Sequence, residues 1–135
     1  MSLAPLRVTY SRSLIDLAAL CFYPLMLSGQ TLPADGLPWF MTLFCKDSMI
    51  ASYQALRFAS ELAIATLRAL AQRQGTRIDE FRDEEPGKIM HEVRFGEMTA
   101  FEERPHSLYY GTADVKPFFP VLLDNRDGAQ ALRLS

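Results

Sequence analysis

The sequence predicts an all-α fold, and two observations indicate it. Apolar residues recur every three to four positions in separate segments, which is the spacing of one helix face. Glycine, proline and small polar residues divide these segments into lengths suited to helical hairpins. We expect helices at about 12–27, 48–58, 61–73 and 114–123. The stretch 76–110 departs from this pattern, and we expect a long loop or a short β-hairpin there.

The first predicted helix begins at Ser13, which can cap it, and Pro24 is expected to bend or end it because proline lacks an amide donor. Its apolar stretch at 17–27 is too short to span a bilayer, which takes about 20 residues. We therefore expect a buried helix and no membrane segment. The residues expected on its buried face are Leu14, Leu17, Ala18, Cys21 and Leu25.

The next two helices follow a loop at 28–38 that is rich in glycine and proline. Asp47 or Ser48 can cap the second helix, and Ser60 can cap the third. Gly75 is well placed as the C-terminal stop of the third helix. The expected core face of the third helix consists of Ala63, Leu67 and Leu70.

The stretch after Gly75 carries a turn signal at Pro86 and Gly87, followed by alternating residues typical of a short strand. One face of that strand would carry Ile89, His91 and Val93, and the other Met90, Glu92 and Arg94. The last helix is expected to begin near Asp114. Pro120 then falls in its interior, at a cost of about 3 kcal/mol. The tail after Asn125 is polar and is expected to fray.

Composition narrows the class of protein. A chain of 135 residues with 49% hydrophobic and 22% charged residues is typical of one globular domain. The net charge of −2 and the lack of a dense Lys/Arg run argue against a nucleic-acid partner. Cys21 and Cys45 have no CxxC spacing, which argues against a disulfide framework and a zinc site. We expect two buried thiols in a cytoplasmic protein.

The first segment whose residues could form a functional site is 38–48. It places Trp39, Lys46 and Asp47 at a loop-to-helix junction. Sugar sites use such a combination, because an aromatic ring covers the apolar face of a pyranose and a carboxylate accepts hydrogen bonds from its hydroxyls. Spacing alone leaves a structural alternative open, in which Asp47 is only a helix cap and Trp39 only a core residue.

The second segment, 82–94, surrounds a short apolar strand with charges. His91 and Glu92 could form an acid/base element, but neighbouring strand residues point to opposite faces, so a solvated charged hairpin remains an alternative. The third segment, 109–114, contains Tyr110 and Asp114 around a glycine turn. Asp114 can be a helix cap or can direct a carboxylate into a cleft.

Together the three segments resemble the amylo-α-1,6-glucosidases, which are glycogen-debranching enzymes with a glucoamylase-like toroid of six helical hairpins. The family carries runs such as PWF-TLFGRDS, QGT-D-FRDEEPGKI-HE-R and YYGT-D-TPLF, and the matching runs here are 38–48, 74–94 and 109–119. Their order and spacing match from about Arg12 to Asp124. The resemblance implies that 1–135 is a single partial domain, the first part of an (α/α)6 toroid.

The resemblance also implies a pocket for a terminal glucosyl unit. Lys46 and Asp47 correspond to the family's Arg-Asp pair, whose Asp is expected to hydrogen-bond the sugar in the innermost subsite. The other implied pocket residues are Trp39, His91, Glu92, Tyr110 and Asp114. No cofactor or metal is implied, and the expected ligand is an α-glucan or a glucosyl oligosaccharide.

Inverting hydrolysis needs a carboxylic acid at the leaving oxygen and a carboxylate that activates water, about 6.5–9.5 Å apart. Asp114 is the candidate for one of these groups, although it can equally be a sugar ligand. The resemblance implies that at least one of the pair comes from later helices, which this chain lacks. The isolated chain is therefore expected to be inactive.

The chain departs from the family pattern in and beside the implied pocket. Cys45 replaces a glycine, Lys46 replaces an arginine, and Val115 and Lys116 replace small residues. An alternative function is therefore a non-catalytic helical module that binds sugar or self-associates. Self-association, or pairing with a complementary chain, is expected in either case, through helix faces that missing helices would have covered. The candidate residues are Phe44, Phe58, Phe118 and Phe119.

Overall fold

The computed structural model describes residues 3–23, 30–93, 108–112 and 117–133, with side chains described as far as Asn125. These residues form four helices, α1 to α4, and four strands of two residues each, β1 to β4. The helices are Ala4–Leu20, Cys45–Ala55, Ser60–Ala71 and Phe118–Arg133. The strands are Cys21–Phe22, Leu32–Pro33, Leu43–Phe44 and Glu92–Val93.

The expected all-α fold, and with it the all-helical toroid fragment, is wrong for the described residues, which mix helices with two small antiparallel sheets. β1 continues directly from α1 and pairs with β2, and β3 leads directly into α2 and pairs with β4. In each strand pair, the segment next to a helix end forms its backbone hydrogen bonds with a segment from elsewhere in the chain. β4 lies within the short strand expected at 89–94, whereas no strand was expected at β1, β2 or β3.

The core lies where α2, α3, α4 and β2 pack against one another. The predicted face of α3 is confirmed, because Ala63, Leu67 and Leu70 are all buried. The buried hydroxyl groups of Ser52 on α2 and Thr66 on α3 hydrogen-bond to each other at 2.9 Å, so this interface buries no unpaired hydroxyl.

The first helix differs from its prediction in position and in burial. α1 begins at Ala4, with proline in its first turn, where a missing amide costs no hydrogen bond, and it ends at Leu20. None of its residues is buried, so the expected buried helix is wrong. Tyr10 packs edge-on against Phe58 just beyond α2, with ring centroids 6.3 Å apart. Pro24 lies outside the described residues.

The predicted helix caps are also replaced by other contacts. α2 begins at Cys45 without a side-chain cap, and Asp47 lies in its first turn, where a negative charge favours the helix dipole. The Ser48 hydroxyl instead donates to the Pro33 carbonyl at 2.6 Å, tying α2 to β2. Ser60 is the first residue of α3 and makes no cap hydrogen bond.

Gly75 lies beyond the end of α3 and closes a loop, which we call the 75–88 loop. Its amide donates to the Lys88 carbonyl at 2.8 Å, and its own carbonyl accepts from the Gly87 amide at 2.8 Å. A Cβ atom at Gly75 would overlap the Glu85 carbonyl oxygen. The predicted turn at Pro86 and Gly87 is present, with Gly87 in the left-handed region at a φ of 82°. Glycine at position 75 therefore permits a close approach of two backbones.

The last helix begins four residues later than expected and continues past Asn125 to Arg133. Pro120 is its third residue, so it lies in the first turn, where no amide has an intrahelical acceptor. The expected cost of about 3 kcal/mol for an interior proline therefore does not arise. Leu122 of α4 is only 1% exposed and belongs to the core. Among the helices described here, none combines the length and the apolar character needed to cross a bilayer.

Candidate functional site

The three sequence segments meet beside β3 and β4. Phe44 pairs with Glu92 in the antiparallel ladder, and Glu92 is bridged in turn to Tyr109. The Cys45 amide donates to the His91 carbonyl at 2.8 Å, and the His91 amide donates to the Tyr109 carbonyl at 2.6 Å. One residue or more from each of 38–48, 82–94 and 109–114 therefore lies within a single hydrogen-bonded group, which we call the three-segment site.

An aromatic row crosses the three-segment site. The ring centroids of Phe40 and Phe44 are 5.8 Å apart, those of Phe44 and His91 6.1 Å, and those of His91 and Tyr109 6.3 Å. Each contact is edge-to-face, which the electrostatics of aromatic rings favour. The Nδ1 atom of His91 is buried without a hydrogen-bond partner among the described residues. The row therefore fixes the imidazole by packing rather than by a hydrogen bond to Nδ1.

Two carboxylates of the site lie near Cys45, the buried first residue of α2. Burial raises the pKa of the Cys45 thiol well above its ordinary value, and the charges of Glu92 and Asp47 raise it further. Both effects favour the protonated thiol over the nucleophilic thiolate. Cys45 is helical, so this side chain brings no left-handed strain where the family has glycine. Asp47 and Glu92, from different segments, share its surroundings.

The carboxyl groups of the site differ in their exposure. Glu92 is 4% exposed, whereas Asp47 is exposed on the first turn of α2. Desolvation raises the pKa of nearby Asp35, and the charge of Asp47 raises it further. An exposed carboxylate such as that of Asp47 can accept hydrogen bonds from sugar hydroxyls. No group of three or more potential ligands among the described side chains is arranged to hold a metal ion.

Glu84 organises the 75–88 loop next to the site. Its buried carboxylate accepts hydrogen bonds from the Thr76 amide at 2.9 Å and the Arg77 amide at 3.4 Å. These bonds, the Thr76 bond foremost, lower the pKa of Glu84, with a smaller contribution from the Arg77 guanidinium. The Lys88 ammonium closes the loop from the other side by donating to the Asp83 carbonyl at 2.7 Å.

The two adjacent tyrosines of the third segment have different roles. Tyr110 is 3% exposed, and its hydroxyl donates to the Arg73 carbonyl at 2.8 Å. Burial raises the pKa of Tyr110. Tyr109 instead packs against His91, and its hydroxyl hydrogen-bonds to the Asp83 carboxylate, which raises the pKa of Tyr109. The sequence did not single out Tyr109 or Asp83 as site residues. The signal that could have indicated Tyr109 is that adjacent residues in an extended segment point to opposite sides, so Tyr109 and Tyr110 face different surroundings.

Three predicted site residues remain, namely Lys46, Trp39 and Asp114. Lys46 is half-buried next to Asp47. Trp39 is 85% exposed on the turn 36–40, whose ends are joined by the hydrogen-bonded pair of Gly36 and Phe40. Asp114, the candidate catalytic residue, lies outside the described residues, as do Val115 and Lys116.

Comparison of the sequence with known families and curated proteins identified no relative. No model of a known protein family matches the chain, and no curated protein matches it. The likeness to amylo-α-1,6-glucosidases therefore depends on the three sequence segments alone.

Proposed function

We propose that this chain binds a glucosyl unit of an α-glucan, as the sugar-binding part of a glycoside hydrolase resembling the amylo-α-1,6-glucosidases. The observation that supports the proposal is the meeting of the three segments through the pairing of Phe44 with Glu92 and of Glu92 with Tyr109. Nothing in helix capping requires three distant segments to meet, whereas a composite sugar pocket does.

The chemistry of the group is compatible with a sugar. An aromatic row offers surface for the apolar face of a pyranose, and carboxylates beside it accept hydrogen bonds from vicinal hydroxyls. In this proposal Asp47 is the hydroxyl ligand, His91 and Glu92 line the pocket, and Trp39 and Lys46 contribute at its edge. Asp114 would complete the pocket. We also propose a cytoplasmic location, because both described cysteines are free thiols.

The test is a titration of the purified chain with isomaltose and panose, followed by NMR, with cellobiose as the comparison sugar. We expect saturable binding with a Kd in the millimolar range or tighter, and weaker binding of cellobiose. Asp47→Asn should weaken isomaltose binding about tenfold, since a hydrogen bond to a charged group contributes about 1.5 kcal/mol or more. Asp124→Asn, at an exposed position on α4, is the matched control and should bind normally.

Two results would contradict the proposal. One is the lack of any saturable isomaltose or panose binding by the folded chain at concentrations far above the millimolar range. The other is binding that Asp47→Asn leaves unchanged, because Asn keeps the size of the side chain but removes its charge and replaces one acceptor oxygen by an NH2 donor. Equal weakening by Asp124→Asn would also argue against a local role for Asp47.

The exposure of α1 favours a second candidate function, a non-catalytic module that associates with a second copy of itself. The helix has no buried residue, and its exposed apolar side chains include Leu6, Val8 and Ile15. Val8 and Ile15 are seven residues apart and therefore lie on one side of the helix, and exposed apolar side chains that share a face can mark an interface. Light scattering at tens of micromolar should then give a mass above that of a monomer, and Val8→Glu together with Ile15→Glu should restore the monomer. A monomeric parent chain would exclude this candidate.

A further inference from the structure

Asp83, Tyr109 and Gly111 form a close contact, and neither Asp83 nor Gly111 has so far been given a role in binding. The Tyr109 hydroxyl donates to the Asp83 carboxylate. A Cβ atom on Gly111 would overlap the Tyr109 hydroxyl and would lie 2.7 Å from Asp83 Oδ2. Glycine at position 111 therefore leaves the space in which the phenol and the carboxylate meet.

This contact is not needed to close the 75–88 loop. Glu84 accepts the Thr76 and Arg77 amides, the Gly75 backbone pairs with the other end of the loop, and the Lys88 ammonium bonds to the carbonyl of Asp83 rather than to its carboxylate. Asp83 has a left-handed φ of 52°, which Asp tolerates better than most residues. That conformation leaves its exposed carboxylate outside the loop's own hydrogen bonds, bonded to Tyr109.

Tyr109 connects this carboxylate to the three-segment site. Its ring packs against His91, its backbone is paired with Glu92, and its carbonyl accepts the His91 amide. A shift of the Tyr109 ring would therefore change the packing around the imidazole. The aromatic contact and the backbone pairing give a short physical route from Asp83 to His91.

We propose that Asp83 is a positioning residue that acts through the Tyr109 hydroxyl to hold His91 and Glu92 in the geometry of the sugar site. The proposal rests on the proposed function for its consequence, sugar binding, but its geometric part can be measured without sugar. Asp83 itself need not touch the ligand. Loss of its carboxylate charge should have the same effect as loss of the hydroxyl.

The first experiment follows the ring signals of His91 by NMR in the full 135-residue chain without sugar. The variants are Asp83→Asn, which keeps the left-handed preference, Tyr109→Phe, which keeps the ring, and the double variant. We expect each single variant to shift the His91 signals, and the double variant to shift them no further than Tyr109→Phe alone. The control is Tyr53→Phe, at an exposed tyrosine on α2, which should leave His91 unchanged.

Two outcomes of this experiment would overturn the positioning role. The His91 signals could stay unchanged in both single variants. Alternatively, Asp83→Asn could shift them equally in the presence and in the absence of the Tyr109 hydroxyl, so that the effect would not pass through Tyr109. A purely structural role would instead lower the Tm without this dependence of one substitution on the other.

The second experiment measures the Kd for isomaltose with the same variants. We expect Asp83→Asn and Tyr109→Phe each to weaken binding about three- to tenfold, which is the effect of one hydrogen bond, and the double variant to be no weaker. Failure of the parent chain to bind isomaltose would defeat the proposed function, and the His91 signals would still decide the positioning role. Normal binding by both variants would overturn the positioning role and leave the proposed function standing.

Discussion

Substitution of Glu84 by glutamine tests whether the 75–88 loop depends on one buried carboxylate. The side chain is 8% exposed and accepts the amides of Thr76 and Arg77. Hydrogen bonds to a charged group contribute about 1.5–3 kcal/mol each. Glutamine keeps an oxygen that can still accept the Thr76 amide. We therefore expect Glu84→Gln to lower the free energy of unfolding by about 1.5–2 kcal/mol, less than two full bonds.

The assay is thermal unfolding followed by circular dichroism. For a chain of 135 residues, about 4 °C of Tm corresponds to 1 kcal/mol, so the Tm should fall by about 6–8 °C. Glu85→Gln is the matched control, because this neighbouring side chain is 64% exposed and only pairs with Lys88 at 3.6 Å. An exposed ion pair contributes about 0.5 kcal/mol or less, so the control should lose no more than about 2 °C.

The dependence on pH gives a second check on the same carboxylate. Hydrogen bonds from the Thr76 and Arg77 amides lower the pKa of Glu84 below its ordinary value of 4.5. A carboxyl group whose pKa is lower in the folded state stabilises the fold above that ordinary value, and loses this effect as the pH falls through the folded pKa. The Tm difference between parent and Glu84→Gln should be full at about pH 7 and much smaller at about pH 3.

The interpretation of Glu84 fails under either of two results. If Glu84→Gln has the same Tm as Glu85→Gln at neutral pH, the backbone hydrogen bonds to Glu84 contribute little to stability. A Tm difference that persists undiminished in acid would show that the ionised form is not the source of the stability.

Three further predictions follow from burial and close approach. Gly75→Ala should destabilise the chain measurably in thermal unfolding, because its Cβ would overlap a backbone carbonyl, whereas Gly36→Ala meets no atom within 4 Å and should be neutral or slightly stabilising; equal Tm values would refute this. Leu122→Ala should cost about 2–5 kcal/mol by chemical denaturation, while Leu123→Ala, at an exposed neighbour, should cost well under 1 kcal/mol; similar costs would show that α4 does not pack through Leu122. Cys45 should react with a thiol reagent only upon unfolding, because it is buried and its pKa is raised, and rapid labelling of the native chain would contradict this.

The sequence was informative where burial repeats locally. α3 shows this, because its three expected core positions are one helical turn apart and all are buried. The prediction for α1 was wrong, because its apolar residues recur but none of them is buried among the described residues. Periodicity indicates a potential face and not the element that packs on it. The Pro86–Gly87 turn was predictable because glycine alone adopts its left-handed conformation without strain.

The pairing of the small strands and the helix starts could not be predicted for a different reason. Phe44 meets Glu92 through a pairing of distant segments, and no local pattern indicates which segment pairs with the strand expected at 89–94. Capping preferences favoured Asp47 or Ser48 at the start of α2, but the Ser48 hydroxyl bonds to β2 instead. Tertiary contacts therefore decided positions where local propensity offered several equivalent choices.

In the described residues, parts of the three segments meet beside β3 and β4, and the details of this group depend on neighbours that point in opposite directions. Tyr110 turns into the core and Tyr109 towards His91, just as Glu84 turns into the 75–88 loop and Asp83 out of it towards Tyr109. This arrangement predicts an asymmetry between two adjacent acids. Glu84→Gln loosens the loop that carries Asp83, so it should lower the Tm and also shift the His91 signals. Asp83→Asn should shift those signals with a Tm change of about 2 °C or less, because an exposed carboxylate contributes little to global stability. Thermal unfolding and NMR on the same two samples decide the matter. If Asp83→Asn lowers the Tm as much as Glu84→Gln does, the two acids share one structural role, and the proposed difference between them is refuted.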